Sequence, residues 1–522
     1  MAIAGAQALE DARDDGELAQ RLQEFFAPIA PTAQVFPSST PPAEPAALAP
    51  PEDDKAKLVR WRNVGFGQQD EGQGARGPYY RTRDSQRPKD GKPRDDWALP
   101  AETYEAELVP GITARVPTVL WRDADGTLPH GAVPASWCPL PENFLMSADD
   151  RRTRLAAVVL GWNVFQHFYP YFDVTEVDWP KELERALTAA ATDADPWAFQ
   201  ATLQRMIAAL HDGHGAVFHA NEARGLPEVC WGWVEGELAV LAPSPDGRLA
   251  RGDVVVSLDG VTTKMAFERE AQLLSAATPQ YLRYASLSTL GAGALGTKAR
   301  LAVRSPAGDA RELEVARGRA PEEPRPAKIA ELEPALWYVD LGRIEDSDFD
   351  GALQDLARAK GIVFDLRGYP RVSPQTLAHL IDEPIESAQW LVPQALLPDR
   401  KATTFVKSSW KVEPTAPQFT AKVAFLTDGR AISYAETFLG MVEHYGLAPI
   451  VGEPTAGTNG NVNPFPLPGS YTVWWTGMKV LKQDGSRHHG IGIQPTVPCA
   501  RTLAGVAAGR DEQLEKALAL VR

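Results

Sequence analysis

Ser433 lies where an apolar run, Val423 to Leu426, and a turn at Asp428-Gly429 give way to a helix-type pattern. At such a junction a hydroxyl can be exposed beside helical amides that lack partners and attract negative charge. An acyl-transfer nucleophile requires this arrangement. The same residues also fit a structural role, because Ser433 with Glu436 three positions later makes a capping box.

His214 is the residue that could serve as a general base. It lies in the turn His211-Asp-Gly-His214-Gly215, directly after the helix-type stretch Pro196 to Leu210. The flanking glycines give the backbone freedom and the side chain access to the surface. An imidazole titrates near neutral pH and can accept a proton there, although a structural histidine fits the same position.

The stretch from Phe425 to Gly460 resembles the nucleophile region of the carboxyl-terminal-processing and tricorn-core serine peptidases, a superfamily that also contains retinoid-binding relatives. Ser433 to Glu436 matches the family's S-x-x-E, and Val451 to Gly457 matches its V-G-E-x-T-x-G, in order and spacing. The resemblance implies that Ser433 is the nucleophile. The processing enzymes carry a catalytic lysine after the last glycine, where this chain has Thr458. The resemblance therefore implies a base elsewhere, and His214 matches the tricorn-core position.

The resemblance also extends to a turn that follows the strand-type run Gly361 to Asp365. Leu366-Arg367-Gly368 agrees with the family's D-L-R-x-N-x-G-G, and the agreement weakens at Tyr369. It implies an oxyanion hole formed by the amide of Gly368, or of its immediate neighbour, and the amide of Tyr434. Such donors are worth about 3 kcal/mol each. A plain turn glycine explains Gly368 equally well.

These motifs do not assign the third member of a catalytic triad, the residue that would orient His214. Gly492-Ile-Gln-Pro495 resembles the family's G-x-x-P-D element, before which tricorn-like enzymes have a glutamate that orients the histidine through a hydroxyl. This chain reads Arg487-His488-His489-Gly490 there, so no carboxylate is expected. Neighbouring residues of a strand face opposite ways, which disfavours a metal site at His488 and His489. We expect neither a metal nor a cofactor.

The patterns predict an α/β, multidomain fold. Alternating strands and helices near Ser433 indicate a mixed or largely parallel sheet, crotonase-like by the resemblance, with Gly368 and Ser433 on one rim. The stretch Leu249 to Gly260 resembles the most recognisable strand and turn of a PDZ domain. The predicted domains are an N-terminal helix plus strand-bearing domain (1–147), a helical segment carrying His214 (148–222), a PDZ-like domain (223–320) and the catalytic domain (321–522).

Composition restricts the partners. The chain has 522 residues, 44% of them hydrophobic, and a net charge of −15, which disfavours nucleic acid or an anionic membrane. Three cysteines, Cys138, Cys230 and Cys499, are too few for a disulfide framework. No apolar run reaches the length of a membrane span. The family resemblance favours a periplasmic or secreted protein, although no signal peptide is visible, and the oligomeric state is not predicted.

The leading hypothesis is a serine peptidase that acts on peptides or proteins through an acyl-enzyme, with Ser433 as nucleophile and His214 as base. Two alternatives remain open. One is a non-catalytic relative whose cleft holds an apolar ligand, with Ser433 as a helix cap. The other is an esterase or acyl transferase that uses the same site.

Overall fold

The computed structural model describes residues 2–52, 55–67, 78–89, 93, 97–131, 146–219 and 224–522. Its first part combines two helices with short antiparallel strands. The elements are α1 (Ala2–Leu9), α2 (Asp15–Phe26), β1 (Gln34–Pro37), β2 (Lys57–Val64), β3 (Tyr80–Gln86), β4 (Tyr104–Val109), β5 (Ile112–Val116) and β6 (Leu120–Arg122). Strands β1, β5 and β4 form one small sheet, while β2 pairs with β3 and β6.

A helical part follows and ends in one strand. Its elements are α3 (Arg151–Phe168), α4 (Trp179–Thr192), α5 (Pro196–Ala208) and β7 (Ala216–His219). Asp150, Asp178 and Asp195 cap the three helices by accepting amide hydrogen bonds in their first turns. Proline near the start of α4 and α5 suits a position where no amide donor is needed.

The third part is a β-rich module with two helices. Its elements are β8 (Arg224–Pro227), β9 (Trp231–Val234), β10 (Glu237–Val240), β11 (Val254–Leu258), β12 (Val261–Thr262), α6 (Thr263–Ala271), α7 (Pro279–Ser286), β13 (Gly293–Ala294), β14 (Lys298–Arg304) and β15 (Ala310–Gly318). Strand β11 ends at the tight turn Asp259-Gly260, as its sequence predicts. Among the described strands, β9 pairs only with β10, so its other edge is open.

The last part contains the central sheet and the elements around it. They are β16 (Ile329–Glu333), β17 (Leu336–Asp340), α8 (Asp346–Leu356), β18 (Gly361–Asp365), β19 (Ile385–Glu386), β20 (Gln389–Ala395), β21 (Thr404–Ser408), β22 (Lys411–Val412), β23 (Lys422–Thr427), α9 (Tyr434–Tyr445), β24 (Ile450–Gly452), β25 (Val462–Leu467), β26 (Tyr471–Thr476), β27 (Lys479–Leu481), β28 (Val497–Pro498), α10 (Leu503–Ala507) and α11 (Glu512–Val521).

The central sheet has the order β16-β17-β18-β23-β24-β28 and is parallel from β17 to β28. Its buried strands need helices on both faces. The described core supplies them, with Phe438 and Leu439 of α9 packed on one side and Ala517 and Leu518 of α11 on the other. The predicted α/β fold with a largely parallel sheet is confirmed.

Strand pairing links the predicted domains to one another. Strand β2 pairs with β20, and β7 pairs with β26, so both early parts of the chain extend sheets of the last part. The helical part shares a core with β25 and β26, in which Phe165 packs on Phe465 and Trp475. The boundaries at 147, 222 and 320 stay predictions. Within the described residues, no helix is both long and apolar enough to cross a membrane.

Candidate active site

Ser433 occupies the turn between β23 and α9, directly before the first helical residue. Its backbone has φ 61° and ψ −113°, a conformation that costs a residue with a side chain about 1–3 kcal/mol. The surrounding structure holds it there, since the Ser433 amide donates to the Thr458 carbonyl at 2.8 Å. A sharp, strained strand-to-helix turn is a known way of presenting a serine hydroxyl at the edge of a sheet.

Glu436 explains physically why S-x-x-E and V-G-E-x-T-x-G occur together in this chain. Ser433 and Glu436 form the capping box expected from their spacing. The buried Glu436 carboxylate also accepts hydrogen bonds from the Thr455 hydroxyl, the Gly457 amide at 2.7 Å and the Thr458 amide at 2.9 Å. The glutamate of S-x-x-E therefore binds the threonine and glycine of V-G-E-x-T-x-G, and together they fix the floor beneath Ser433.

His214 lies on the loop between α5 and β7, and its ring is held by a hydroxyl-bridged carboxylate. Its Nδ1 is 2.8 Å from the Thr476 hydroxyl, and that hydroxyl is 2.5 Å from Asp212 Oδ1. Asp212 also accepts the amides of His214 at 3.0 Å and Thr476 at 2.7 Å. Asp212 is fully buried, so these bonds fix its carboxylate in one orientation.

This chain of hydrogen bonds assigns the tautomer of His214. The single hydroxyl proton of Thr476 goes to the Asp212 carboxylate, which can only accept. The hydroxyl must then accept from His214 Nδ1–H, which leaves Nε2 with a free lone pair. That Nε2 is buried and has no hydrogen-bond partner among the described residues. Burial lowers the pKa of His214 below its usual value, and the Asp212 and Glu436 carboxylates offset part of this effect.

Thr458 joins the histidine loop to the serine loop. Its carbonyl accepts the Ser433 amide, and its hydroxyl accepts the Gly213 amide at 3.1 Å. The Ser433 hydroxyl itself donates to the Gly460 carbonyl at 3.3 Å, and it makes no direct hydrogen bond with His214 among the described contacts. Thr458, found where the processing enzymes have lysine, thus positions both loops.

Gly368 and Tyr434 lie at the carboxyl ends of the neighbouring parallel strands β18 and β23. Gly368 has φ 140°, and an added Cβ would meet nothing within 4 Å, so the turn needs glycine for its backbone rather than for space. Neither the Gly368 amide nor the Tyr434 amide donates a hydrogen bond within the described part of the chain. Two free donors therefore lie on the same rim as Ser433.

A buried ion-pair network anchors the Gly368 turn. The Arg367 guanidinium lies 2.6 Å from Asp365 Oδ2 and 2.8 Å from Asp511 Oδ2. Burial alone would raise the pKa of Asp365, but the Arg367 and Arg325 guanidiniums outweigh it and hold that pKa well below its usual range. Removing one partner of such a pair leaves an uncompensated buried charge, so loss of Arg367, Asp365 or Asp511 should destabilise the fold at this turn.

His488 and His489 are both buried beside this site, in a loop rather than in a strand. His488 Nε2 lies 3.4 Å from Glu436 Oε2, and the His489 ring stacks on Tyr171 at 4.0 Å between centroids. Burial lowers the pKa of His489 to about 4. Neither belongs to a group of three metal-ligand side chains within the described ranges. Among the described residues the one such group is Asp123, Asp125 and His130, which follows β6.

A cavity of about 1180 Å³ lies between the β-rich module and the central sheet. Its wall includes Gly368 and Tyr369 on one side and Trp231, Trp233 and Tyr284 on the other. Ser433 is not among the residues that line the cavity, whereas Gly368, on the same rim as Ser433, is. Cys230 also lines it, and Cys230 and Cys499 are free, while Cys138 lies outside the described residues.

The structure thus brings Ser433, Gly368 and Tyr434 to one rim and ties His214 to them through Thr458. Sequence reasoning missed Asp212 and Thr476. The turn Asp212-Gly213-His214 contained a usable signal, since a carboxylate two positions before a histidine can accept a hydrogen bond from the histidine's backbone amide. Nothing in the sequence marks Thr476.

Comparison with known proteins gives a family match over part of the chain and a similar fold. Residues 336–499 match the sequence model of peptidase family S41. Mature CPAF complexed with lactacystin is similar in structure, with a TM-score of 0.59 at 16% identity over 71% of this chain and 98% of that chain. The photosystem II D1 C-terminal processing protease gives 0.41 at 16% identity, over 69% and 98%. The tricorn protease gives 0.37 at 12%, over 71% and 36%. No curated protein matches the chain.

Proposed function

We propose that this chain, whose residues 336–499 match the model of peptidase family S41, cleaves peptide bonds with Ser433 as nucleophile and His214 as general base. The family and the enzyme class predicted from the sequence are confirmed by the match. The substrate is accordingly a peptide or a protein. The individual roles of residues remain the proposal, and the geometry of the site supports them.

The observation that carries the proposal is the state of His214. Its Nδ1 contacts the Thr476 hydroxyl, and its buried Nε2 has no hydrogen-bond partner in the part of the chain that the structure describes. A buried nitrogen without a partner is costly in a protein that does not use it. A general base that accepts the proton of the Ser433 hydroxyl needs a ring nitrogen whose lone pair is free.

In the proposed reaction the Ser433 Oγ attacks the peptide carbonyl while His214 Nε2 takes its proton. The carbonyl electron pair moves onto oxygen, where the amides of Gly368 and Tyr434 stabilise the charge. His214 then returns the proton to the leaving amine, and the acyl-enzyme is hydrolysed by water in the reverse sequence. Asp212, through Thr476, stabilises the imidazolium and keeps Nε2 free.

The backbone of Ser433 and one experiment distinguish the alternatives. A helix cap can be Ser, Thr, Asp or Asn and needs no strained backbone, so the φ of Ser433 favours a nucleophile over a cap in a ligand-binding relative. An esterase or acyl transferase would use the same residues. Matched ester and anilide substrates with one acyl group separate these classes, because a peptidase hydrolyses both and an esterase only the ester.

Labelling with a fluorophosphonate probe tests the nucleophile directly. We expect the wild type to be labelled and Ser433→Ala to remain unlabelled while still folded. Ser373→Ala is the matched control, because Ser373 also caps a helical turn, by accepting the Gln375 amide at 3.2 Å, and should not affect labelling. Labelling that persists in Ser433→Ala would refute the assignment.

The β-rich module is proposed to hold the substrate as an added strand, in the manner of a PDZ domain. The open edge of β9 lies beside α7. Trp233 Nε1 on β9 donates a hydrogen bond to the Ser286 hydroxyl at the end of α7, at 3.1 Å. Both elements line the cavity that leads to Gly368. A tail-specific enzyme should have a lower KM for a peptide with a free carboxyl end than for its carboxamide, and equal KM values would exclude this role.

Action in the periplasm or outside the cell is proposed from the family resemblance alone. Fractionation of the native host, with immunodetection of the chain in each fraction, tests it. Recovery in the cytoplasm would reject the proposal.

A further inference from the structure

The segment that joins α6 to α7, residues 272–278, belongs to the β-rich module but makes hydrogen bonds to other parts of the chain. Two of its side chains, Ser275 and Thr278, are buried although both are polar. The Ser275 hydroxyl donates to the Ile207 carbonyl at 3.1 Å, and the Thr278 hydroxyl donates to the Ala456 carbonyl at 2.8 Å. Because buried hydroxyls need such partners, these two bonds fix where the module meets the rest of the chain.

Ser275 holds the loop that carries His214. Its hydroxyl oxygen also accepts the backbone amide of Asp212 at 2.9 Å, while its proton goes to Ile207. The Asp212 carboxylate orients the His214 ring through the Thr476 hydroxyl. A shift of the Asp212 backbone would therefore move the ring nitrogen that accepts the proton.

Thr278 holds the floor beneath Ser433. Beside its bond to the Ala456 carbonyl, the side-chain amide of Gln280, in the first turn of α7, donates to the Thr455 carbonyl at 2.7 Å. The same loop, two residues after Ala456, supplies the carbonyl that accepts the Ser433 amide. The start of α7 therefore fixes the loop on which the backbone of the nucleophile depends.

The segment also packs against a glycine in each of these two loops. A Cβ added to Gly215, next to His214, would lie 2.7 Å from the Cβ of Ser275. A Cβ added to Gly457 would lie 2.7 Å from the Cγ2 of Thr278. Packed atoms do not approach this closely, so any larger residue at either glycine would push the segment away. The segment thus contacts the histidine side and the serine side of the active site at once.

We propose that Ser275 and Thr278 are positioning residues for catalysis, Ser275 for the base His214 and Thr278 for the nucleophile Ser433. The inference rests on the proposed function of these two residues. Each hydroxyl acts through a backbone group of the loop that it holds. Proton transfer requires Ser433 Oγ and His214 Nε2 to come within hydrogen-bond reach, so a small displacement of either loop slows it. The β-rich module then contributes to the hydrolysis of substrates too small to touch it.

The experiment measures kcat and KM in the full chain for 4-nitrophenyl acetate and for a peptide that the wild type cleaves. Thr278→Val keeps the shape of the side chain and removes its hydroxyl, and Ser275→Ala removes the other hydroxyl. We expect each change to lower kcat about ten- to a hundredfold on both substrates, with little change in KM. Thr278→Ser retains the hydroxyl and should recover most of the rate.

Thr263→Val is the matched control. The Thr263 hydroxyl donates to the Val255 carbonyl at 2.6 Å within the module, and Thr263 is 7% exposed against 6% for Thr278. Its loss should lower the melting temperature and leave kcat unchanged on both substrates. An equal fall of kcat in Thr263→Val would overturn the inference, because any weakening of the module would then have this effect.

Three further outcomes would reject the inference. They are wild-type kcat in Ser275→Ala or in Thr278→Val, an equal loss in Thr278→Ser and Thr278→Val, and a rise in peptide KM with normal ester turnover. The last result would make the segment part of peptide binding. Melting temperatures check that each variant is folded at the assay temperature. Ester turnover that persists in Ser433→Ala would instead refute the proposed function itself.

Discussion

Thr476→Val isolates the link between Asp212 and His214, because valine has nearly the shape of threonine and lacks only the hydroxyl. The change removes the acceptor 2.8 Å from His214 Nδ1 and the donor 2.5 Å from Asp212 Oδ1. Asp212 keeps the two backbone amides that it accepts, so its carboxylate stays in place. The imidazole loses the partner that fixes its tautomer.

The size of the expected loss in kcat/KM follows from the His214 Nδ1–H donor that Thr476→Val leaves unpaired. A buried donor left without its partner costs about 1–3 kcal/mol. At 1.36 kcal/mol per factor of ten, kcat/KM should fall about five- to 150-fold. Thr476 is fully buried, so water cannot replace the hydroxyl without a rearrangement. Thr476→Ser restores the hydroxyl and should recover most of the loss.

The assay is kcat/KM against pH on one peptide substrate for the wild type, both Thr476 variants and Asp212→Asn. His214 acts as a base only when neutral, so kcat/KM rises as pH rises through its pKa. Asp212 raises that pKa, and Asp212→Asn should move the acid limb to lower pH, whereas Thr476→Val keeps the charge and should move it less. Wild-type kcat/KM in Thr476→Val, or an equal loss in Thr476→Ser, would refute the relay.

Three further predictions concern His214, Ser433 and the buried Glu323. His214→Ala should remove the acid limb of kcat/KM, which lies below pH 6.5 because burial lowers the pKa of His214, while Thr458→Ala should keep that limb in a pH-rate profile. Ser433→Gly should abolish activity yet melt above Ser433→Ala, since glycine relieves about 1–3 kcal/mol of backbone strain at φ 61°; equal melting temperatures in calorimetry would contradict the strain. The Arg430 and Arg501 guanidiniums outweigh burial and lower the pKa of Glu323 to about 2, so Glu323→Gln should cost about 2–3 kcal/mol of unfolding free energy at pH 7. This difference, measured by urea unfolding, should disappear as pH falls from about 4.5 toward 2 and protonates the wild-type carboxylate.

The sequence predicted what local pattern can encode. The strand, turn and helix around Ser433, the parallel sheet and the common rim of Gly368 and Ser433 all follow from hydrophobic periodicity and chain order. The family motifs supplied His214. These features depend on residues close in sequence or on a topology that leaves few alternatives.

The remainder depends on contacts that periodicity does not record. Thr476 lies 262 positions from His214 and 264 from Asp212, and only the pairing of β7 with β26 brings them together. The expectation that no carboxylate orients the histidine was based only on the position before Gly492, where the family has one. In this chain the carboxylate is Asp212, two positions before His214. A threonine in a strand-type run gives no sign that its hydroxyl bridges the two.

The pairing of β2 with β20 bears on how the protein is made. Asn63 lies opposite Ala395, so this part of the edge of β2 waits for more than half of the chain before β20 exists, although its other partners, β3 and β6, are made early. Contacts of such sequence separation slow folding, and an unpaired strand edge is open to aggregation while it waits. Asn463 adds a later bond by donating to the Phe66 carbonyl at 2.7 Å. The sheet that contains β2 therefore cannot be completed until β20 has been made, and a chain interrupted before β20 should depend on chaperones to stay soluble.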